Sequence, residues 1–475
     1  MRNRSRSRRR SLGTTAPPLP SRSHIRGIAA LVLSIAAGTT PAGGTPTASA
    51  DGVRLPDAPE TTATLRTGPS GHRWRGDVEI AFHNGGSVPM NEIWLRLWPN
   101  GIAGCARSLP VRTSGMEGGV AGDLEVECTA LLVALDEPVP EDGTGEIRFR
   151  IAIDLPHRND RFGWANGLAF LGSALPALAI TDTDGTHLDP YSDLGESFYS
   201  QVGTYSVTLD APQGLDTPAT GILTSAVAAD GRVVRTYTAA DVRDFAWAAG
   251  RLRQRTASDR SGVLVRVWHP TGRGEDGRIA LNAALGAMNE YRRSFGPYGY
   301  PEVDVVTAEY VTFGGMEYPT LVFANPNPGV IAHELAHQWW YGIVGNDEYR
   351  EPWLDEAFAT WSERLVHDGT ASGCRQRPWP SASARISNGM GYWDAHPGEY
   401  GPVVYEQGAC ALAALAARFG LERFLDVLAG YVAAHRLGFS TTGKFTSAIE
   451  SAAAGLPTAW DPTVFWDRWR IGPRS

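Results

Sequence analysis

Lysine is nearly missing: Lys444 is the only one in 475 residues, so arginine carries almost all of the positive charge. Acidic residues outnumber basic ones, 51 to 43, and the formal net charge is −8. That balance excludes the basic stripe expected of a protein that binds nucleic acid or an anionic membrane. Cysteine is sparse, at four residues with no C-x-x-C spacing, which argues against a thiolate zinc site. No apolar run reaches the roughly 20 residues that a membrane-spanning helix needs, so no membrane anchor is evident. Beyond residue 50 there is neither an internal repeat nor a long low-complexity stretch. What remains is a chain with 43% hydrophobic and 20% charged residues, the composition of a folded protein long enough for two domains.

The first fifty residues stand apart. They hold eight arginines (Arg2, Arg4, Arg6, Arg8, Arg9, Arg10, Arg22, Arg26) and no acid. An apolar run follows at residues 28–37, then small residues ending in Ala48-Ser49-Ala50. This order is that of a secretory signal peptide cleaved after Ala50. Without it the net charge falls to about −16. Export makes disulfides the expected state of an even cysteine count. Cys105 and Cys128 lie in the first half, Cys374 and Cys410 in the second, so pairing within each half is expected among the three possible connectivities.

From residue 51 to about 250 the pattern alternates with period two. Ile147, Phe149, Ile151 and Ile153 alternate with Arg148, Arg150 and Ala152. Ile93, Leu95 and Leu97 do so with Trp94 and Arg96, and Tyr205, Val207 and Leu209 repeat the theme. Alternation marks strands with one buried face. Asn84-Gly85-Gly86 and Asp142-Gly143 supply turns. An antiparallel saddle or sandwich over residues 51–255 is expected. The polar stretch 251–262 then reads as a boundary. Beyond it, 281–295, 329–341, 354–366, 409–418 and 421–434 read as helices, and 303–311 as a strand. The fold class is therefore α+β, a β domain followed by a mainly helical domain over residues 256–475.

The informative string is His333-Glu334-Leu335-Ala336-His337. Residues four apart share one helix face, so both imidazoles can reach one metal ion. Glu334 is rotated by about 100° on the same turn. There it can take a proton from water without binding the metal. Such a site needs a third protein ligand and an open fourth position. Glu356, in Trp353-Leu354-Asp355-Glu356, can return on the next helix to supply it, with Asp355 as a competing ligand. One Zn²⁺ per chain is expected. Trp339 and Trp340 read as core, and Asp347 and Glu348 as solvated loop.

His333-Glu334-x-x-His337 followed after eighteen residues by Glu356 resembles the gluzincin signature of the aminopeptidase N family. Gly314-Gly315-Met316-Glu317-Tyr318-Pro319 is similar to that family's Gly-x-Met-Glu-Asn loop. Tyr405-Glu406-Gln407-Gly408 is similar to its Tyr-x-Lys-Gly segment, and Asp244-Phe245-Ala246-Trp247 to the strand before its catalytic domain. The order of motifs fits over roughly residues 60–475. Tyr318 stands where Asn is usual and Gln407 where Lys is usual.

The resemblance implies a thermolysin-like catalytic domain with zinc on His333, His337 and Glu356, and Glu334 as general base. It implies that Tyr405 donates to the oxyanion of the scissile peptide, with Tyr392 and Tyr400 as rival phenols. It implies that Gly314, Gly315, Met316 and Glu317 line the substrate cleft, Glu317 binding the free α-amine of a peptide. The family often adds a second amine anchor from its β domain, which the sequence does not reveal. About 119 residues follow Glu356, so the expected enzyme is a minimal two-domain form with an open cleft. A thermolysin-like endopeptidase would keep the zinc chemistry and lack the amine anchor. A leukotriene-hydrolase-like epoxide opener would need a lipid pocket that has no signature here. An inactive secreted binding module would show a broken ligand set.

Overall fold

The computed structural model describes residues 58–105, 108–309, 314–368, 374, 376–456, 458 and 460–472. The leader segment and its cleavage site at Ala50 lie outside the described residues. The described residues belong to one compact unit with two large apolar cores.

The first core is a β-sandwich. Seven strands lie in the order Ile222–Ala229, Arg232–Val242, Gly203–Pro212, Glu60–Thr67, Arg73–His83, Thr144–Asp154 and Val111–Glu117. All neighbours are antiparallel except Glu60–Thr67 with Gly203–Pro212. A four-stranded sheet, including Met90–Arg96 and Ala130–Val139, covers one face. The alternation read from sequence explains the packing. Ile147, Phe149, Ile151 and Ile153 are buried with Val78, Ile80, Ile93, Leu95, Leu131 and Val133, while Arg148 and Arg150 point outward.

The second core surrounds a five-stranded sheet in the order Leu252–Ser258, Leu264–Pro270, Glu302–Thr307, Leu321–Ala324 and Gly315–Met316. The middle three strands are mutually parallel and the outer two antiparallel. Helix α1, Gly274–Phe295, is the crossover between parallel strands. Its Ala280, Ala284, Ala287, Met288 and Tyr291 recur at three- and four-residue spacing and are buried, the stripe that packs a helix on a sheet. The polar stretch 251–262 is largely a strand. It contains the sheet's outer strand, Leu252–Ser258, whose four consecutive exposed residues account for the composition. The strand read over 303–311 covers Glu302–Thr307, and residues 310–311 lie outside those described.

Helix α2, Pro328–Ala336, begins at an Asn327 cap that accepts from Gly329 N at 2.8 Å, with Pro328 in the first turn. Both features favour a helix start. It ends at Ala336 rather than at residue 341, because the next amides change register: Gln338 N and Trp339 N donate to carbonyls three residues back, and Gly342 N to one five residues back. Helix α3, Trp353–Asp368, follows, and its first ten residues are all buried. Asp347 and Glu348, read as solvated, are buried in the connection between α2 and α3. Glu348 accepts from Phe198 N at 3.0 Å and donates from its own N to Phe198 O at 3.2 Å. Trp339 and Trp340 are core, as expected. Cys105 pairs with Cys128 and Cys374 with Cys410.

Candidate active site

A cleft of about 460 Å³ opens between the β-sandwich side and the second core. Helix α2 places His333, Glu334 and His337 along it, and α3 returns to place Glu356 opposite. His333 Nε2 lies 3.1 Å from Glu356 Oε2, and His337 Nε2 lies 3.6 Å from the same oxygen. One ligand atom from each of the three residues falls within 4.8 Å of the others. Two imidazole nitrogens and a carboxylate oxygen converging with no other side chain between them fit a zinc ion with one position left open. Burial works to raise the pKa of Glu356, but the hydrogen bond with His333 and the charges of His337 and His333 outweigh it and hold the carboxylate down at about 2.

Asp355, the sequence's competing ligand, faces the other side of His337. Its Oδ1 is hydrogen-bonded to His337 Nδ1, leaving Nε2 for the cleft. A carboxylate behind a ligating histidine fixes its tautomer and ring angle. On the outer side, Glu363 Oε2 lies 3.7 Å from His333 Nδ1.

Glu334 is buried beside the three converging groups. Burial pushes its carboxyl up to about 8, with the charge of Glu317 adding to the rise and His333 and His337 opposing it. Gly315 explains how Glu334 fits: a Cβ there would lie 2.5 Å from Glu334 Cδ. The edge strand Gly315–Met316 can pass this close only without a side chain.

Glu317 follows that strand and is buried, with Oε1 lacking any hydrogen-bond partner among the described residues. Burial pushes its carboxyl well above the ordinary range, and the charge of Glu196 adds to the shift. Glu196 comes from the β-sandwich side and also lines the cleft. Its Oε2 is likewise without a partner, and Arg161 Nη1 lies 3.3 Å from Oε1. Burial raises Glu196 too, against the opposing charge of Arg161. No local pattern marks Glu196 in the sequence. It sits in an irregular segment whose course depends on distant contacts such as Phe198 with Glu348.

Tyr405 lines the cleft, and its hydroxyl donates to Glu356 Oε1 at 2.5 Å. Its ring stacks on that of His333, with centroids 6.0 Å apart. It lies in a π-helical turn, Gly401–Gln407, an irregularity frequent at functional sites. Of the rival phenols, Tyr392 bonds Ser381, Ser383 and Glu399 away from the cleft. Tyr400 is buried edge-on to Tyr405. The two departures from the family pattern lie outside the cleft chemistry. Gln407 clamps the backbone of Arg377 through both ends of its amide. Tyr318 is buried against Gly172, where a Cβ would come within 1.7 Å of its hydroxyl. Gly314 and Gly315 line the cleft, while Met316 is buried in a third, smaller apolar cluster with Phe170 and Phe323.

A His-x-x-x-His helix joined by a glutamate from the next helix, on an α+β scaffold, defines the gluzincin class of zinc metallopeptidase. Residues 279–469 match the Peptidase family M1 domain. The chain is 26% identical over 229 residues to Aminopeptidase M1 of Arabidopsis thaliana, covering 41% of this chain and 26% of that protein. It is 28% identical over 185 residues to the puromycin-sensitive aminopeptidase of Caenorhabditis elegans, covering 34% and 20%. The matched segments thus span about a quarter of the length of these relatives. In fold it is similar to the M1 zinc metallopeptidase from Deinococcus radiodurans, with a TM-score of 0.62 at 21% identity over 88% of this chain and 94% of that one. A mutant of the Deinococcus enzyme bound to a Tyr-Ser-Ala substrate aligns with a TM-score of 0.60 at 20% identity, over 88% and 96%.

Proposed function

We propose that this chain is an exported zinc aminopeptidase that removes the N-terminal residue from peptides. The observation that carries this reading is the pair Glu317 and Glu196. Each is buried, each has an oxygen without a partner among the described residues, and the charge of Glu196 adds to the rise in the pKa of Glu317. Two such carboxylates are costly without a cation between them. The α-ammonium of a free N-terminus is a cation of the right kind, and it arrives in the same cleft as the three metal-binding groups.

His333, His337 and Glu356 would hold a zinc ion, which when bound would supply Lewis acidity toward water and the peptide carbonyl. Glu334 takes the proton of the attacking water and passes it to the leaving amine. The Tyr405 hydroxyl, kept protonated by burial and by the charge of Glu356, leaves Glu356 to donate to the developing oxyanion. Glu317 and Glu196 hold the amine so that only the first peptide bond reaches the reacting groups.

The same reading assigns a β domain to residues 51–255 and a catalytic domain to 256–475, supported by the two separate cores. Export through a leader cleaved after Ala50 is supported by the two disulfides. Among the described residues no helix is long and apolar enough to cross a membrane.

The test is a peptide series with free and acetylated N-termini, with and without a chelator. Chelator-sensitive cleavage confined to free N-termini is expected. Equal cleavage of both forms would replace this reading with that of an endopeptidase. Stoichiometric zinc with no cleavage of either would leave a binding role as the better account.

A further inference from the structure

Gln338 follows His337 directly in the chain and is 1% exposed. A buried carboxamide has two N–H donors and an acceptor oxygen with two lone pairs to satisfy. Here all are used. Nε2 donates to Glu317 O and to Tyr318 O, both at 3.2 Å. Oε1 accepts from Thr320 N at 2.8 Å and from the Tyr298 hydroxyl at 3.0 Å. Carbonyls can meet only the NH₂ end and a backbone amide only the oxygen, so the orientation of the carboxamide is unambiguous. Three of its four partners belong to residues 317–320, the segment that begins with Glu317.

That segment needs holding. Thr320 has φ +62°, a left-handed conformation that a β-branched residue adopts only when its surroundings over-determine it. Besides Gln338, Thr320 accepts from Gly221 N through Oγ1 at 2.7 Å and from Asp304 N through its carbonyl at 2.8 Å. Gln338 alone among these joins the segment to the turn that carries His337.

We propose that Gln338 is a positioning residue that sets the distance between the amine-binding carboxylate of Glu317 and the three metal-binding groups. This rests on the aminopeptidase reading. In such an enzyme the α-amine and the first peptide carbonyl are one residue apart, so the spacing of their partners selects the bond that is cut. Misplacement by about an ångström is enough to lose the reacting geometry. Because Gln338 and His337 are consecutive, the carboxamide ties the amine anchor to the metal side without touching substrate.

The experiment compares wild type with Gln338→Met, which keeps length and removes every hydrogen bond. Both are zinc-loaded and assayed on free and acetylated peptides. For free peptides KM rises by about tenfold while kcat falls by much less, and the preference for free over acetylated N-termini drops by a similar factor. Zinc stoichiometry stays at that of wild type. In a Glu317→Ala background the same change leaves KM unaltered, because the carboxylate it positions is gone. A merely structural role would lower kcat on both peptide forms together and leave KM and the preference alone; that result overturns the proposal. Should Gln338→Met not fold, Tyr298→Phe loosens one of the four bonds and shifts KM two- to threefold in the same direction; an unchanged KM there overturns it too. If wild type shows no preference for free N-termini, the aminopeptidase reading falls first and this assignment with it.

Discussion

His337 is held from two sides by consecutive residues of α3: Asp355 bonds its Nδ1, and Glu356 faces its Nε2 at 3.6 Å. Consecutive helix residues differ by about 100° in direction, so they can reach both sides of one ring only because the imidazole lies edge-on between them. Asp355→Ala should free that ring to turn. The expected outcome is a 10- to 100-fold loss of zinc affinity, read by competition with a chromogenic chelator. Near-normal kcat should return at saturating zinc. Unchanged affinity would mean that the bond Nδ1 donates to Trp340 O, at 3.2 Å, is enough by itself.

Tyr405→Phe should lower kcat by about 10²–10³, the usual effect of deleting one oxyanion donor, with little change in KM. Tyr392→Phe is the control, since its hydroxyl bonds Ser381 and Glu399 outside the cleft. A loss of kcat in the control equal to that in Tyr405→Phe would remove Tyr405 from its proposed role.

Asp304 offers a test away from the metal-binding groups. Burial raises its pKa to about 7, against the opposing effects of Arg266, 3.0 Å away, and Trp268 Nε1, 2.7 Å away. An acid whose folded pKa is raised contributes most below its unfolded value, and that contribution is lost as pH rises through the folded value. Wild type should therefore lose stability relative to Asp304→Asn between pH 4 and about 7. Denaturant midpoints at several pH values measure this; parallel curves would refute it.

Reduction should destabilise the chain in two separable steps. The bridges close separations of 23 and 36 residues, for which loop-closure entropy gives roughly 3–4 kcal/mol each. Thermal unfolding with and without reductant, and of Cys105→Ser/Cys128→Ser and Cys374→Ser/Cys410→Ser, checks the size. A shift in neither double variant would show that the bridges do not limit stability.

Some of this was legible from residues alone. Strands with one buried face were visible because period two leaves alternate side chains on the core, as Ile147 to Ile153 do. The convergence of His333 and His337 was visible because helical geometry puts them on one face whatever the rest of the chain does. Helix 421–434 was read to the residue, with a left-handed Gly420 to stop the one before it. One local reading failed where a distant part decided the matter. The polarity that made 251–262 read as a boundary comes from an outer strand that is polar on its open side. Glu348 looked solvated because burying a carboxyl group depends on its partner, and the partner, Phe198 N, is 150 residues away.

The sequence by itself determined the chemistry available: two imidazoles and a glutamate at helical spacing, a second glutamate beside them, and a glycine-rich strand that can pass close by. Only the tertiary structure decided how these groups are aimed. It turned Asp355 from a rival ligand into the partner of His337. It brought Glu196 across from the β-sandwich to face Glu317, and joined Gln338 to the segment that carries Glu317. Spacing along one helix is fixed by backbone geometry, whereas the meeting of separate segments is fixed by packing and hydrogen bonds that no local pattern records.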